Sequence, residues 1–286
     1  MTLRLTGEQV AQAFHDSCLA ELDALKPGNV HRFGDDPRMS VVDFEASARV
    51  AAPALAAPGL SVGTRIRRSV EATIEAVGHN TNLGIILLSG PLAAAALGDG
   101  TGDLRSRLGR VLADLSVEDA REAYAAIRHA KPGGLGAVPD QDVGGEPDVT
   151  LLDAMRAAEG YDRIAWNYAH DFADIFALGL PRLAQGMDRW HSPPFATSFV
   201  YLGFLAAGPD TLIERKFGTT QAIEVQQEAK ALKAMFRNSA DPRALEPDLM
   251  EFDRSLKTRS LNPGTSADLT VATLFAASLQ ALEDGR

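Results

Sequence analysis

The chain has 286 residues, 45% hydrophobic and 23% charged, a composition that excludes disordered, collagen-like and coiled-coil classes. Lys and Arg number 28 against 38 Asp and Glu, and the resulting net charge of −10 argues against a nucleic-acid partner, since such a surface repels a phosphate backbone. One cysteine, Cys18, permits neither an intrachain disulfide nor a cysteine zinc site.

Nearly every segment has helical period. Thr6 and Gln9 form a capping-box pattern, Val10, Phe14, Cys18, Leu22 and Leu25 mark one helix face, and Pro27-Gly28 stops that helix. Ser40 and Asp43 cap a second helix carrying Phe44, Ala48 and Ala51, and Val62, Ile66, Val70, Ile74 and Val77 mark a third. The run from Leu83 to Leu97 is the longest apolar stretch. Gly84, Gly90 and Pro91 interrupt it, and it falls short of the roughly 20 residues of a membrane helix. Within it, Ile85 to Leu88 is the one run with strand character, and it continues helically into Leu92 and Leu97.

Leu104, Leu108, Val111, Leu112 and Leu115 mark the next helix, and Ser116 with Asp119 caps its successor. Further stripes run through 164–178, 199–205, 222–235 and 269–282. The expectation is an all-α fold of about ten or more helices. The start, MTLRLTGEQV, lacks a signal-peptide core, so the expected location is cytoplasmic with no membrane partner.

Chemistry-bearing residues gather at the breaks between helices. Lys, Asn, His, Asp and Ser accompany glycine at 26–31, 79–84, 131–136, 208–211 and 262–268. Any one of these taken alone is a helix stop and a turn. Glycine-rich turns that open helices also present N–H groups to phosphate oxygens, and the segment PGGLG at 132–136 has that character. No GxxxxGK[ST] or GxGxxG pattern occurs, which excludes P-loop and Rossmann nucleotide sites. The histidines lack HxxxH or HxH spacing, and no GxSxG elbow supports a serine hydrolase.

Lys26, His31, Lys131, Arg156, Arg215 and Lys216 are available to meet phosphate, although Arg215-Lys216 also suits a solvated helix end. Among the carboxylates, Asp210 and Asp268 sit near helix starts, whereas Asp142 directly follows the glycine loop. Magnesium on a nucleotide triphosphate needs only one or two protein carboxylates. The residues alone describe a helical protein with a polar, glycine-lined cleft suited to a magnesium-bound phosphorylated ligand.

In this order, the loops resemble the triphosphoribosyl-dephospho-CoA synthase family. The resemblance rests on Glu21 with KPGNVH at 26–31, Asp43-Phe44 with Ser47-Ala48, and TNLGIILL at 81–88 followed by Pro91-Leu92. It continues through AIRHAKPGGLG at 126–136 with Asp142-Val143, Asp153-Ala154-Met155, and Asp162 to Ala165 with Tyr168. PDTLIERKFG at 209–218 and LNPGTSADL at 261–269 complete it. KPGNVH departs from the PKPGLV form associated with the citrate lyase and malonate decarboxylase enzymes, which places the chain on a divergent branch. Because the motifs run from end to end, residues 1–286 are expected to form one domain, although length alone suggests about two.

The resemblance implies an all-α transferase that moves the triphosphoribosyl group of ATP onto a ribosyl hydroxyl, that of 3′-dephospho-CoA, and releases adenine. Such a step needs a clamp on magnesium triphosphate, a proton for adenine and a base for the hydroxyl. Residue chemistry on the matched motifs assigns the clamp to Lys26, Asn29, His31 and the loop glycines Gly133, Gly134 and Gly136, with Arg215 and Lys216 adding charge. Asp142 and Asp153 are candidates for metal or base, and Asp162 is a further acid or base. Mg2+ is expected with ATP, and apolar helix stripes permit a homodimer. Two rivals remain open on sequence: a magnesium-dependent ribosyl hydrolase or a transferase with another acceptor, and a non-catalytic helical nucleotide-binding protein. The adjacent acids Asp35-Asp36 are the one pair near a candidate site, fewer than a two-metal hydrolase gathers.

Overall fold

The structure, a computed structural model, describes residues 4–34, 39–99, 101–133 and 141–285. These form fourteen α-helices and, among the described residues, no β-strand. In chain order the helices are α1 (Gly7–Leu22), α2 (Val41–Leu55), α3 (Val62–Val77), α4 (Leu83–Leu97), α5 (Leu104–Ala113), α6 (Val117–Ala130) and α7 (Leu151–Ala158). They continue with α8 (Arg163–Ala169), α9 (Leu180–Trp190), α10 (Pro193–Ala207), α11 (Thr211–Phe217), α12 (Thr219–Asn238), α13 (Glu246–Thr258) and α14 (Gly264–Glu283). The chain divides into two compact units, the first formed by Met1–Cys18, Val42–Ala173 and Phe275–Arg286, the second by Leu19–Val41 and Asp174–Leu274. Helices α1 and α14 supply residues to both.

In the first unit α3 packs on α6 and α4, α4 on α5, and α7 on α8. The expected capping boxes are present. Thr6 N–H donates to Gln9 Oε1 at 2.9 Å while Gln9 N–H donates to Thr6 Oγ1 at 3.2 Å, and Ser116 and Asp119 exchange the equivalent bonds at the start of α6. Ile85 to Leu88 are helical within α4, as the period indicated. Asp119 does more than cap, because its Oδ1 accepts the Gly63 N–H of α3 at 2.7 Å. A side chain at Gly63 would meet the Asp119 backbone at 2.5 Å, so α3 and α6 touch backbone to backbone there. Asp119→Ala is expected to cost about 2–3 kcal/mol, from the lost cap and a buried unpaired Gly63 amide. A urea midpoint equal to that of the wild type would show that the carboxylate is dispensable.

The second unit builds its core from Phe199, Tyr201, Leu202 and Leu205 of α10, Ala222, Val225, Ala229 and Phe236 of α12, and Leu249 and Leu256 of α13. Trp190 meets Phe199 and Phe236 edge-on at 5.4 and 5.0 Å, a favoured aromatic geometry. One expected helix is divided. The stripe at 164–178 breaks after α8, where Asp171 and Phe172 adopt φ of 49° and 53°, and a π-helical turn follows at Asp174–Gly179. Phe172 is fully buried and its N–H donates to Asn167 O at 2.8 Å, so tertiary burial offsets a left-handed backbone that local preference resists. No single helix among the described residues is long and apolar enough to cross a membrane.

Candidate active site

The segment that leaves α1 is a turn dictated by its own residues. Lys26-Pro27-Gly28-Asn29 closes with Asn29 N–H donating to Lys26 O at 3.0 Å, with Pro where φ must be near −65° and Gly28 at φ 80°. Side chains of the second unit then bind its backbone. Tyr201 Oη donates to Pro27 O at 2.6 Å, Ser198 Oγ donates to Leu25 O at 2.8 Å, and Asp253 Oδ1 accepts the Gly28 N–H at 2.8 Å. A buried loop needs such partners for its polar groups.

Within this loop Lys26 is wholly buried. Its ammonium lies 2.5 Å from Glu21 Oε1 and donates to Val30 O at 2.6 Å and Asn29 Oδ1 at 3.2 Å, which commits its three donors. Burial pushes the Glu21 carboxyl up and the Lys26 ammonium down, each opposed by attraction to the other. Asn29 Oδ1 also accepts the Val30 N–H at 2.9 Å, and its Nδ2 donates to Asn262 Oδ1 at 2.7 Å.

His31 is fully buried as well. Its Nδ1 accepts the Phe33 N–H at 3.1 Å, which leaves the proton of the neutral ring on Nε2, 3.2 Å from Asp253 Oδ1 and off the axis of a good hydrogen bond. Burial lowers the His31 pKa against the pull of Asp253. Asp253 is itself 2% exposed, with Oδ2 3.0 Å from Lys257 Nζ. Burial raises its pKa, but His31, the Gly28 amide and Lys257 together outweigh burial and hold it below the ordinary carboxylate value.

Nearby, Asp210 Oδ2 accepts Ser266 N–H and Oγ–H, both at 2.8 Å, while Oδ1 caps α11 through the N–H groups of Leu212 and Ile213. The cap expected for Asp210 is therefore real, and the same carboxylate ties 209–211 to the start of α14. Burial pushes its pKa up against these bonds. Asp268, expected near a helix start, lies inside α14 and is close enough to raise the Lys26 pKa. Three sequence-distant motifs, at 21–31, 209–211 and 261–268, thus converge in the second unit. Arg215 and Lys216 occupy the last turn of α11, where the carbonyl end of a helix favours cations.

The carboxylates expected to serve as metal ligand, acid or base, Asp142, Asp153 and Asp162, belong to the first unit. Asp142 accepts the Gly144 N–H at 2.7 Å in a loop held on α6, where Tyr124 Oη donates to Gln141 O and Arg128 to Val143 O. Asp162 caps α8 through Ile164 and Ala165. Beyond the effect of burial, Asp162 and Asp142 both raise the Tyr161 phenol, so these two carboxylates share one neighbourhood. Asp153 is exposed in the first turn of α7, where Thr150 and Arg156 hold its pKa low. Gly133 follows the left-handed cap of α6 at Lys131; Gly134, Gly136 and the acids at 35–36 lie outside the described residues. Among the described residues no three His, Cys, Asp or Glu side chains group to hold a metal ion.

Asp253 and Lys257 were not singled out in the sequence. An Asp and a Lys four residues apart are the ordinary sign of a solvated helix pair, and only burial separates this pair from that pattern.

The described residues form a helical fold without strands that carries a buried ionic loop, an architecture outside the P-loop and Rossmann classes. The chain belongs to the ATP:dephospho-CoA triphosphoribosyl transferase family, whose model matches residues 7–286. It is a transferase of cofactor biosynthesis, and this assignment displaces the hydrolase and non-catalytic alternatives. One similar solved structure is a crystal structure described as a "putative triphosphoribosyl-dephospho-coA synthase" from Archaeoglobus fulgidus. It is 23% identical, with a TM-score of 0.66, over 82% of this chain and 98% of that one, and it supports the fold. Among curated proteins none matches the chain.

Proposed function

We propose that the chain acts on magnesium-bound ATP, with the loop at 26–31 framing its polyphosphate end. In the reaction the C1′–N9 bond of ATP breaks and adenine leaves with a proton. The 2′-oxygen of dephospho-CoA bonds to C1′ and gives its proton to a base. The observation that carries the loop's role is the convergence of the motifs at 21–31, 209–211 and 261–268 on one buried network, far more ordering than a connecting turn requires.

Lys26 spends its donors on Glu21, Asn29 and Val30, Asn29 ties the loop to Asn262, and His31 accepts the Phe33 N–H while its Nε2 faces Asp253, so their part is to fix the loop's shape and charge. Arg215 and Lys216 supply further cationic contacts to phosphate. Asp142 and Asp162, which share the Tyr161 neighbourhood, are assigned to acid–base work. Magnesium fits as part of the substrate: hard oxygen donors are present at Asp142 and Asp153, and phosphates and waters complete its shell. We treat residues 1–286 as one domain, since the family match is unbroken and α1 and α14 serve both compact units.

Incubation with Mg-ATP and dephospho-CoA should release adenine and yield a product heavier by the triphosphoribosyl group. Adenine released equally without dephospho-CoA would mean hydrolysis and defeat the proposal. Asp142→Asn should abolish release with the melting temperature nearly unchanged.

A further inference from the structure

We infer that Lys257, aimed by Asp253, binds the polyphosphate chain of a substrate. The inference rests on the polyphosphate role proposed above for the 26–31 loop. Two ammonium groups occupy this cluster, and the charge of Lys257 helps lower the Lys26 pKa. Lys26 has committed all three donors to Glu21, Asn29 and Val30. Lys257 has not. Its Nζ is buried, 3.0 Å from Asp253 Oδ2, and makes no well-aligned hydrogen bond among the described residues.

A buried ammonium with unspent donors is unusual in a folded protein and calls for a partner with oxygen acceptors. A Cβ built on Gly34 would lie 3.2 Å from Lys257 Nζ, 3.1 Å from His31 Cε1 and 3.3 Å from Asp253 Oδ2, closer than ordinary contact, so the backbone comes this near the ammonium only because residue 34 is glycine. Asp253 restrains the lysine from one side while the same carboxylate holds the Gly28 amide and faces the His31 ring. The arrangement pre-orients a cation beside the loop, where a phosphate oxygen gains a charge-assisted bond at little ordering cost.

Both ATP and dephospho-CoA carry linked phosphates, and steady-state kinetics of Lys257→Met distinguish them. A contact to ATP raises the KM for ATP by about tenfold or more and leaves that for dephospho-CoA in place; a contact to dephospho-CoA does the reverse. Either result supports the inference, and unchanged KM values for both overturn it. Lys257→Arg should recover part of the loss, which a purely structural lysine would not require.

If Lys257→Met does not fold, the wild-type protein still decides. Inorganic tripolyphosphate or pyrophosphate should shift the side-chain Nζ resonance of Lys257 in NMR titration, and an unmoved resonance under saturating ligand refutes the contact. Wild-type protein that binds neither polyphosphate and releases no adenine would instead refute the functional proposal itself.

Discussion

Asp253→Ala is expected to abolish turnover and to lower the unfolding free energy by about 3–5 kcal/mol. The wild-type carboxylate is 2% exposed and serves the Gly28 amide, the His31 ring and the Lys257 ammonium. Its removal leaves a buried cation and a buried N–H without partners, and each carries a desolvation cost that no water repays. Asp253→Asn keeps an acceptor for Gly28 but loses the charge facing Lys257, so it should fall between wild type and alanine in stability.

The pH dependence has a definite sign. A carboxyl whose folded pKa lies below its unfolded value near about 3.9 stabilises the protein fully above that value and loses this contribution as pH falls through the folded pKa. Asp253 and Asp119 are of this kind. Glu21 and Asp210 are raised and act oppositely, their folded forms losing ground as pH climbs from the unfolded values toward the folded ones. The stability gap between wild type and Asp253→Ala, read as urea midpoints across pH, should therefore be widest near neutrality and narrow below about pH 4. A gap independent of pH would show that the ionised carboxylate is not what matters.

Gly28→Ala should be nearly as damaging, at about 2–5 kcal/mol, with turnover down by about 100-fold from displacement of the loop. Two costs add. Gly28 has φ 80°, and its new Cβ would lie 2.8 Å from Leu256 Cδ1 and 2.9 Å from the carbonyl oxygen of Leu261. Leu256 Cδ1 can turn aside, but Leu256 Cβ, also 2.9 Å away, and the Leu261 backbone that anchors the segment carrying Asn262 cannot. Gly59→Ala separates the terms, because Gly59 has φ 72° with nothing within 4 Å of its Cβ position. It should cost about 1–2 kcal/mol and leave turnover intact. Equal melting temperatures for the two variants would show that the contacts at Gly28 carry no weight.

Most of the helical architecture is legible residue by residue. The capping boxes at Thr6 and Ser116 announce α1 and α6, and Val62 to Val77 traces α3, because caps and apolar period act within a few turns of chain. The division of the stripe at 164–178 is not legible. Asp171 and Phe172 carry no signal for a left-handed backbone, and the break exists because Phe172 buries its ring. At the site, Pro27-Gly28 spells out its turn, and the motif residues Glu21, Lys26, Asn29, His31 and Asp210 do lie in one network. Their roles within it differ from what their chemistry suggests in isolation. Lys26 looks like a phosphate ligand in sequence, but the fold surrounds it with three acceptors.

The helical class, the turn at 26–29 and, through the ordered run of the loops, membership in the triphosphoribosyl transferase family follow from the amino-acid order alone. These depend on period, local backbone preference and motif order, all of which operate along the chain. Which charges are spent and which remain available depends on the packing of distant segments. Burial sets the cost of every unpaired donor, and burial is a property of neighbours brought from more than 200 positions away, as Asp253 is to Gly28. The net charge of −10 describes the molecule as a whole. The buried pairing of Lys26 with Glu21, and of Lys257 with Asp253, sets the field that a phosphate meets at this loop.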